Sequence, residues 1–456
     1  MKHRTSLSRR SFLRGTLPVA GALAFPQILP AATLGRGGHT APNDRLGVAV
    51  IGSGDRAQDV MNGFLAQSSC RVVALADVKQ DMLAAAHAKV AARYPNPACG
   101  CFQDFREMLE QPGIDAVLIG SPDHWHVLHA MAAVRAGKDV YVEKPLGYTL
   151  GESLALQRQA QRRQRIFQFG TQQRSDRKFR QACEWVRNGC VGELRHINVW
   201  APGSTPGGST RPVPAPPSLN YDRWLGPAPW REHTENLAVS GAAKTWWFNS
   251  AYAVGFIAGW GIHPIDIALW GAGARAEGTF EVEGTGNFPR EGACDTATTW
   301  DLNFRFASGL TMRFVGVPNG SDAERFEQEA EWKSRYRGLT SHGTAFEGEA
   351  GWVRVDRGSV EVQPESVREL ADDRLGVQLP RSEDHVRNFL ESVRARRPAI
   401  CPIEDAVRAD ALCHVADIAI RLRRRLVFDQ AKMRFRDDAE ANARLAVRAM
   451  RKPWHL

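Results

Sequence analysis

Between residues 46 and 169, short apolar runs alternate with stretches of helical spacing. Residues 46–51 are apolar and rich in β-branched side chains, and they lead into a glycine-rich turn, Gly52-Ser53-Gly54-Asp55-Arg56-Ala57. A run of this kind predicts a buried strand. The spacing then predicts a helix over 56–66, a strand over 71–76 closed by Asp77, and an alanine-rich helix over 79–93. Next come a short helix over 104–110, a strand over 116–120, a helix over 124–136 stopped by Gly137, and a strand over 139–143. A helix over 150–163 and a strand over 166–169 finish the series. Strands alternating with helices predict a parallel sheet with right-handed crossovers.

Beyond residue 170 the pattern changes. Residues 195–200, 278–284, 296–306, 310–315 and 353–355 read as strands of one sheet without regular helical crossovers. That predicts an α+β domain on a mostly antiparallel sheet. Residues 202–229 are rich in Pro, Gly and Ser and predict a long loop. Helices return over 382–396 and 403–422.

Composition narrows the class. The 456 residues leave room for two domains with their own cores. Contents of 43% hydrophobic and 24% charged residues are those of a soluble globular protein. No apolar run approaches the ~20 residues of a membrane-spanning helix, so the mature protein is not expected to be membrane-embedded. Ser8-Arg9-Arg10-Ser11-Phe12-Leu13-Arg14, a mildly apolar stretch and the Ala31-Ala32 pair have the order of a twin-arginine export signal. A periplasmic protein, and the twin-arginine machinery as a partner, follow as expectations. Six of the nine net positive charges sit in residues 1–40, which contain no acid, leaving +3. No basic stripe with interleaved aromatics indicates nucleic acid. The eight cysteines lack paired zinc-ligand spacing, so no metal is expected, and they read as buried small hydrophobes.

Several segments carry chemistry. Gly52 and Gly54 permit a tight turn that brings backbone amides to a pyrophosphate, with Ala57 as the third small position. Asp77, at the end of the second strand, stands where an acid accepts from adenosine ribose hydroxyls and disfavours a 2′-phosphate, or else acts as a helix cap or turn residue. NAD is favoured, although Lys79 and Arg56 nearby leave NADP open. Ser121-Pro122-Asp123-His124-Trp125-His126 follows the third strand of the series at its ligand-facing edge. Asp123 is expected to cap the next helix, His126 to face the cofactor, and His124 to lie at the surface or behind the site. In Glu143-Lys144-Pro145 the lysine ends an apolar strand, where burial lowers an amine's pKa into a useful range. His263, three residues before Asp266, is the natural base for a hydroxyl proton, with Asp266 orienting it or pairing with a lysine. Trp246, Trp247, Trp260 and Trp270 offer faces for a sugar or ordinary core.

These segments, with Gly170-Thr171-Gln172 and the stretches from Cys413 to Arg421 and from Phe428 to Trp454, resemble the Gfo/Idh/MocA oxidoreductases, in particular an exported bacterial branch. The resemblance implies an N-terminal Rossmann domain over 41–170 and a C-terminal α+β domain with an open sheet over 171–430. A signal precedes them at 1–40 and a tail follows at 431–456. It implies oxidation or reduction of sugars or cyclitols, Lys144 and His263 as the catalytic pair, and homo-oligomers formed through the open sheet. The cofactor set is then Gly52, Gly54, Arg56, Ala57, Asp77, Ser121, Pro122, His126, Glu143 and Lys144. Gln172, Arg174, Trp260 and Asp266 would meet substrate. One departure stands out: the aspartate that many relatives carry four residues before the histidine is here Gly259, and Asp222 in the long loop is a possible substitute.

Three functions are compatible with these residues. The first is a periplasmic oxidoreductase with a tightly held nicotinamide cofactor acting on a sugar, cyclitol or glycoside hydroxyl. The second is a glycoside hydrolase or lyase that oxidises transiently and eliminates. The third is a sugar-binding relative without catalysis.

Overall fold

The alternating first third of the chain builds a six-stranded parallel sheet. A computed structural model describes residues 44–94, 99–239, 244–318, 326–327, 329–370 and 375–456, so the twin-arginine pattern lies outside the described residues. Strands β1 (Leu46–Ile51), β2 (Cys70–Ala76), β3 (Gly100–Phe102), β4 (Ala116–Ile119), β5 (Asp139–Val142) and β6 (Phe167–Phe169) lie in the order β3-β2-β1-β4-β5-β6. Every pairing is parallel. This is the doubly wound order whose switch point falls between β1 and β4, where ligands bind at the strands' carboxyl ends. β4 and β5 are buried along their whole length, which is why they read as continuous apolar runs. β3, three residues long and partly exposed, gave no such signal.

Helices α1 (Asp55–Ala66), α2 (Gln80–Arg93), α3 (Phe105–Leu109), α4 (His126–Arg135) and α5 (Leu150–Arg162) connect these strands. Each α1 residue between Ala57 and Leu65 that is buried belongs to an apolar stripe or to Gln58, and the stripe packs on the sheet. α6 (Arg177–Arg187) follows, capped by Asp176, whose carboxylate accepts from the Lys178 amide.

The second sheet has nine strands in the order β13-β12-β11-β7-β10-β9-β8-β14-β15. They are β7 (Leu194–Pro202), β8 (Thr279–Asn287), β9 (Thr299–Phe306), β10 (Thr311–Val317), β11 (Gly343–Gly348), β12 (Trp352–Val355), β13 (Val360–Gln363), β14 (Leu426–Asp429) and β15 (Arg434–Phe435). Only the β7–β10 pair is parallel, so the sheet is mixed but mostly antiparallel as expected. Its core face carries α7 (Ile262–Ala272) and α9 (Ile403–Leu422). All eleven residues of α7 are buried, which explains why it reads as an apolar segment without a polar face. α8 (His385–Ala395) returns to the first sheet and packs Phe389 against Phe64 and Tyr141.

Residues 431–456, expected as a tail, are folded: β15 pairs with β14, and Ala439–Leu445 is helical. The 202–229 loop contains a short helix, Tyr221–Leu225. All eight cysteines are free thiols.

Candidate active site

A cleft of about 300 Å³ opens at the carboxyl ends of β1, β2, β4 and β5, walled on its far side by residues of the second half of the chain. At its floor Gly52 has φ +84°, and a Cβ there would lie 2.6 Å from the Ser121 amide nitrogen. The β1 and β4 turns can therefore touch only through glycine. Around Gly54 the space is open, and no side chain caps the start of α1. A helix start with no side-chain cap at Gly54, beside open space, forms a cradle that fits a pyrophosphate. Ala57 does not line this cradle. It is fully buried, and a Cβ on Gly120 would meet it at 2.7 Å, so the expected cofactor contact is corrected to one of helix-on-strand packing.

Asp77 lines the cleft at the end of β2. Its carboxylate accepts from the amides of Ser53 and Lys79, the latter at 2.8 Å, which braces the glycine turn. Burial pushes its pKa up to about 6. Its oxygens retain lone pairs for ribose hydroxyls, so both roles considered for it are compatible. Arg56 reaches across to Glu143 (2.8 Å) and Gln172 (3.3 Å), and all three line the cleft.

Ser121 and Pro122 form the cleft's middle. His126 also lines it, but its ring nitrogens lie 2.6 Å from the Pro145 carbonyl and 2.8 Å from that of Ser121. It therefore ties the β4 and β5 loops together. His124, expected at the surface or behind the site, is behind it: it is buried at 1% exposure, does not line the cleft, and has Trp224 and Tyr252 packed on its ring. Burial pushes its pKa down to about 3. Asp123, expected as a cap, makes no side-chain capping bond; it is 4% exposed, lines the cleft, and Oδ2 has no partner. Burial raises its pKa to about 7, opposed by the charges of Lys144 and Lys244.

Lys144 and His263 share the cleft. The Lys144–Pro145 peptide is cis. Lys144 Nζ donates to the Gly259 carbonyl at 2.7 Å and lies 4.8 Å from the Trp247 ring centroid and 6.0 Å from that of Trp260. Burial lowers its pKa to about 8, with Glu143 and then Asp123 opposing the shift. His263, 2% exposed, is held well below its ordinary pKa by burial and by the charges of Lys144 and Arg357, so it is neutral at pH 7. Its Nδ1 has no partner, and its ring meets Trp260 edge-on at 5.8 Å.

Three expectations are corrected. Asp266 does not orient His263. Its carboxylate is bound by Arg174 (2.6 and 2.9 Å), which also pairs with Asp405 (2.7 Å), and neither Arg174 nor Asp266 lines the cleft. Spacing brought both near the site, but charges at 5% and 1% exposure require each other. Asp222 cannot stand in for the missing acid, because it is exposed and paired with Arg451. Gly259 has no space for an acid: a Cβ there would lie 2.9 Å from Trp247 Nε1. The acids in the cleft whose charges act on Lys144 are instead Glu143 and then Asp123. Residues that sequence reasoning missed include Lys244, 4.4 Å from the Trp247 centroid, and Arg357, 4.9 Å from that of Trp260. Both stand in loops whose local sequence gives no signal of the cleft.

Comparisons with known proteins agree with this geometry. Residues 46–171 match the Gfo/Idh/MocA profile described as "Oxidoreductase family, NAD-binding Rossmann fold", and residues 342–456 match that family's "C-terminal alpha/beta domain". A glycosyl hydrolase family 109 protein of Shewanella pealeana is 29% identical over 194 residues, 42% of either chain. A myo-inositol 2-dehydrogenase of Thermotoga maritima is 29% identical over 153 residues, 34% of this chain and 41% of that one. The matched region thus spans about two-fifths of the length of these relatives. The Bordetella pertussis WlbA dehydrogenase, solved with NADH and UDP-GlcNAcA, shares the fold with a TM-score of 0.61 at 14% identity, over 84% of this chain and 98% of that one. A levoglucosan dehydrogenase solved with NADH and levoglucosan gives 0.61 at 16%, over 84% and 98%. The glycine cradle, the strand order and two family profiles that together cover a little over half of the residues make this chain a member of the Gfo/Idh/MocA family of NAD-binding oxidoreductases.

Proposed function

We propose that this protein is an NAD-dependent oxidoreductase acting on a secondary hydroxyl of a sugar, cyclitol or glycoside, with the dinucleotide held tightly through turnover. The observation that carries this reading is a single cleft containing the uncapped α1 start at one place and Lys144 with His263 at another. Bound NAD supplies a hydride acceptor for the carbinol carbon. The chain's own residues handle the remaining proton. His263, neutral in its buried position, can accept the hydroxyl proton, and Lys144 stabilises the negative charge that develops on oxygen. The faces of Trp247 and Trp260 present flat apolar surfaces on which a sugar ring can stack.

The twin-arginine pattern supports export to the periplasm, and a cofactor recycled in place suits a compartment poor in free dinucleotide. Homo-oligomers through the second sheet would join polar surfaces, since the outer face of β9 and β10 bears Asp301 and Arg313 paired at 2.8 Å. Mass spectrometry of the dinucleotide released on denaturation, followed by a sugar panel monitored at the NADH absorbance band, tests the proposal. Protein that neither carries nor binds a dinucleotide refutes it.

A second reading has specific support. Gly259 removes the acid common in dehydrogenases of this family, and some relatives are named glycosyl hydrolase family 109 proteins. Release of a chromogenic aglycone without net NADH would select oxidation, elimination and re-reduction over simple dehydrogenation.

A further inference from the structure

The segment 446–456 crosses from the second sheet's helices back over the N-terminal domain. Arg448 Nη2 donates to the His124 carbonyl at 2.6 Å, and Arg448 pairs with Glu152 at 3.0 Å. Arg451 donates from Nε to the Gly226 carbonyl (3.0 Å), from Nη2 to the Asp222 carbonyl (2.7 Å), and from its amide to the Pro227 carbonyl (3.1 Å). These bonds pin the segment both to the start of α4 and to the long loop. They set Trp454 edge-on to Trp125 with centroids 4.7 Å apart, and roughly parallel to Phe105 at 6.3 Å. The Arg106 guanidinium lies 5.1 Å from the Trp454 centroid.

Trp454 lines the cleft together with Phe105, Arg106 and Trp125. Strand order places this aromatic corner on the Asp77 side, since β2 and β3 lie across β1 and β4 from the β5 end that carries Lys144. With the nicotinamide at Lys144, the opposite end receives the purine base. Planar rings and a guanidinium are surfaces on which a base stacks without regard to its hydrogen-bonding edge.

We propose that residues 446–456 form a strap closing the adenine end of the cleft, with Trp454 as a wall for the purine, so that dinucleotide leaves only when the strap lifts. The inference rests on the dinucleotide reading above and adds the element that makes retention possible. It gives the cleft a means to hold its cofactor once the cytoplasmic pool is left behind.

The test compares wild-type protein with Trp454→Ala, Trp454→Phe and Arg451→Ala. Dinucleotide content is measured by mass spectrometry before and after prolonged dialysis, and NADH release by stopped-flow fluorescence. Trp454→Ala is expected to lose its dinucleotide on dialysis and to release NADH about 10–100-fold faster, the range set by one base–aromatic stack. Trp454→Phe retains most of the effect of tryptophan, and Arg451→Ala, which keeps the ring but frees the strap, releases faster than wild type. Unchanged release in Trp454→Ala overturns the proposal, and if that variant does not fold, unchanged release in Arg451→Ala does so. Wild-type protein that neither carries nor binds dinucleotide overturns the oxidoreductase reading and the strap together, whereas wild-type protein that carries it and a Trp454→Ala variant that holds it equally well overturn the strap alone.

Discussion

The Lys144 ammonium donates to the Gly259 carbonyl at 2.7 Å, so the position that lacks an acidic side chain still holds the lysine through its backbone. Replacing Lys144 with Ala should lower kcat by about 10²–10³-fold, the usual contribution of one positioned group that stabilises a developing oxyanion. Dinucleotide content should change little, because the pyrophosphate cradle is built from β1 and α1. Steady-state kinetics on protein of matched dinucleotide content checks this, and an Ala variant with wild-type kcat would remove Lys144 from the chemistry.

Restoring an acid at 259 should harm the enzyme. A Cβ at this position already comes within 2.9 Å of the Trp247 ring, so Gly259→Asp must displace the indole. We expect a lower melting temperature, altered tryptophan emission and reduced activity. A Gly259→Asp enzyme that gains dehydrogenase activity with unchanged emission would contradict the packing described here.

The pH dependence follows from Lys144. Its pKa of about 8 means that the neutral amine accumulates as pH rises through 8. Lys144 stabilises the developing negative charge as the ammonium, so kcat/KM in oxidation is expected to fall as pH rises through that value. Glu143 and Asp123 both favour the ammonium, Glu143 more strongly. Glu143→Gln and Asp123→Asn should each move the midpoint to lower pH, Glu143→Gln further. Midpoints unmoved in both variants would show that another group titrates.

Asp266 belongs to the framework. Replacing it with Ala leaves Arg174, 5% exposed, with only Asp405. The loss of one partner from a buried pair costs about 3–5 kcal/mol. Chemical denaturation should report a loss of that order, while KM for substrate stays close to wild type at a permissive temperature. A raised KM without lost stability would return Asp266 to the substrate site.

Much of the N-terminal domain was legible because its strands are buried on both faces and its turn residues are chemically constrained. The runs at 46–51 and 116–120 match strands to within a residue, and Gly52, Asp77 and Lys144 all line the cleft. α9 was equally clear, and its expected bounds, 403–422, are those of the helix. What escaped were features that depend on distant partners. β3 is too short and exposed to carry an apolar signature. α7 shows no amphipathic period because sheet and helices cover it on every side. Spacing placed Asp266 three residues from His263 but could not reveal that Arg174 would claim it. Asp123 read as a cap from its local context, and only the approach of Lys144 and Lys244 gives its carboxylate another setting. Trp454 has no local mark at all.

The cleft's first wall is set by Gly52 and its last by Trp454, so the order of synthesis matters. A nascent chain can assemble the six-stranded sheet and bind a dinucleotide loosely while most of the second half is still unmade. Enclosure becomes available only once residue 454 has left the ribosome and docked. On the strap proposal, a loaded, sealed molecule is therefore one in which residues 446–456 have been made and have docked.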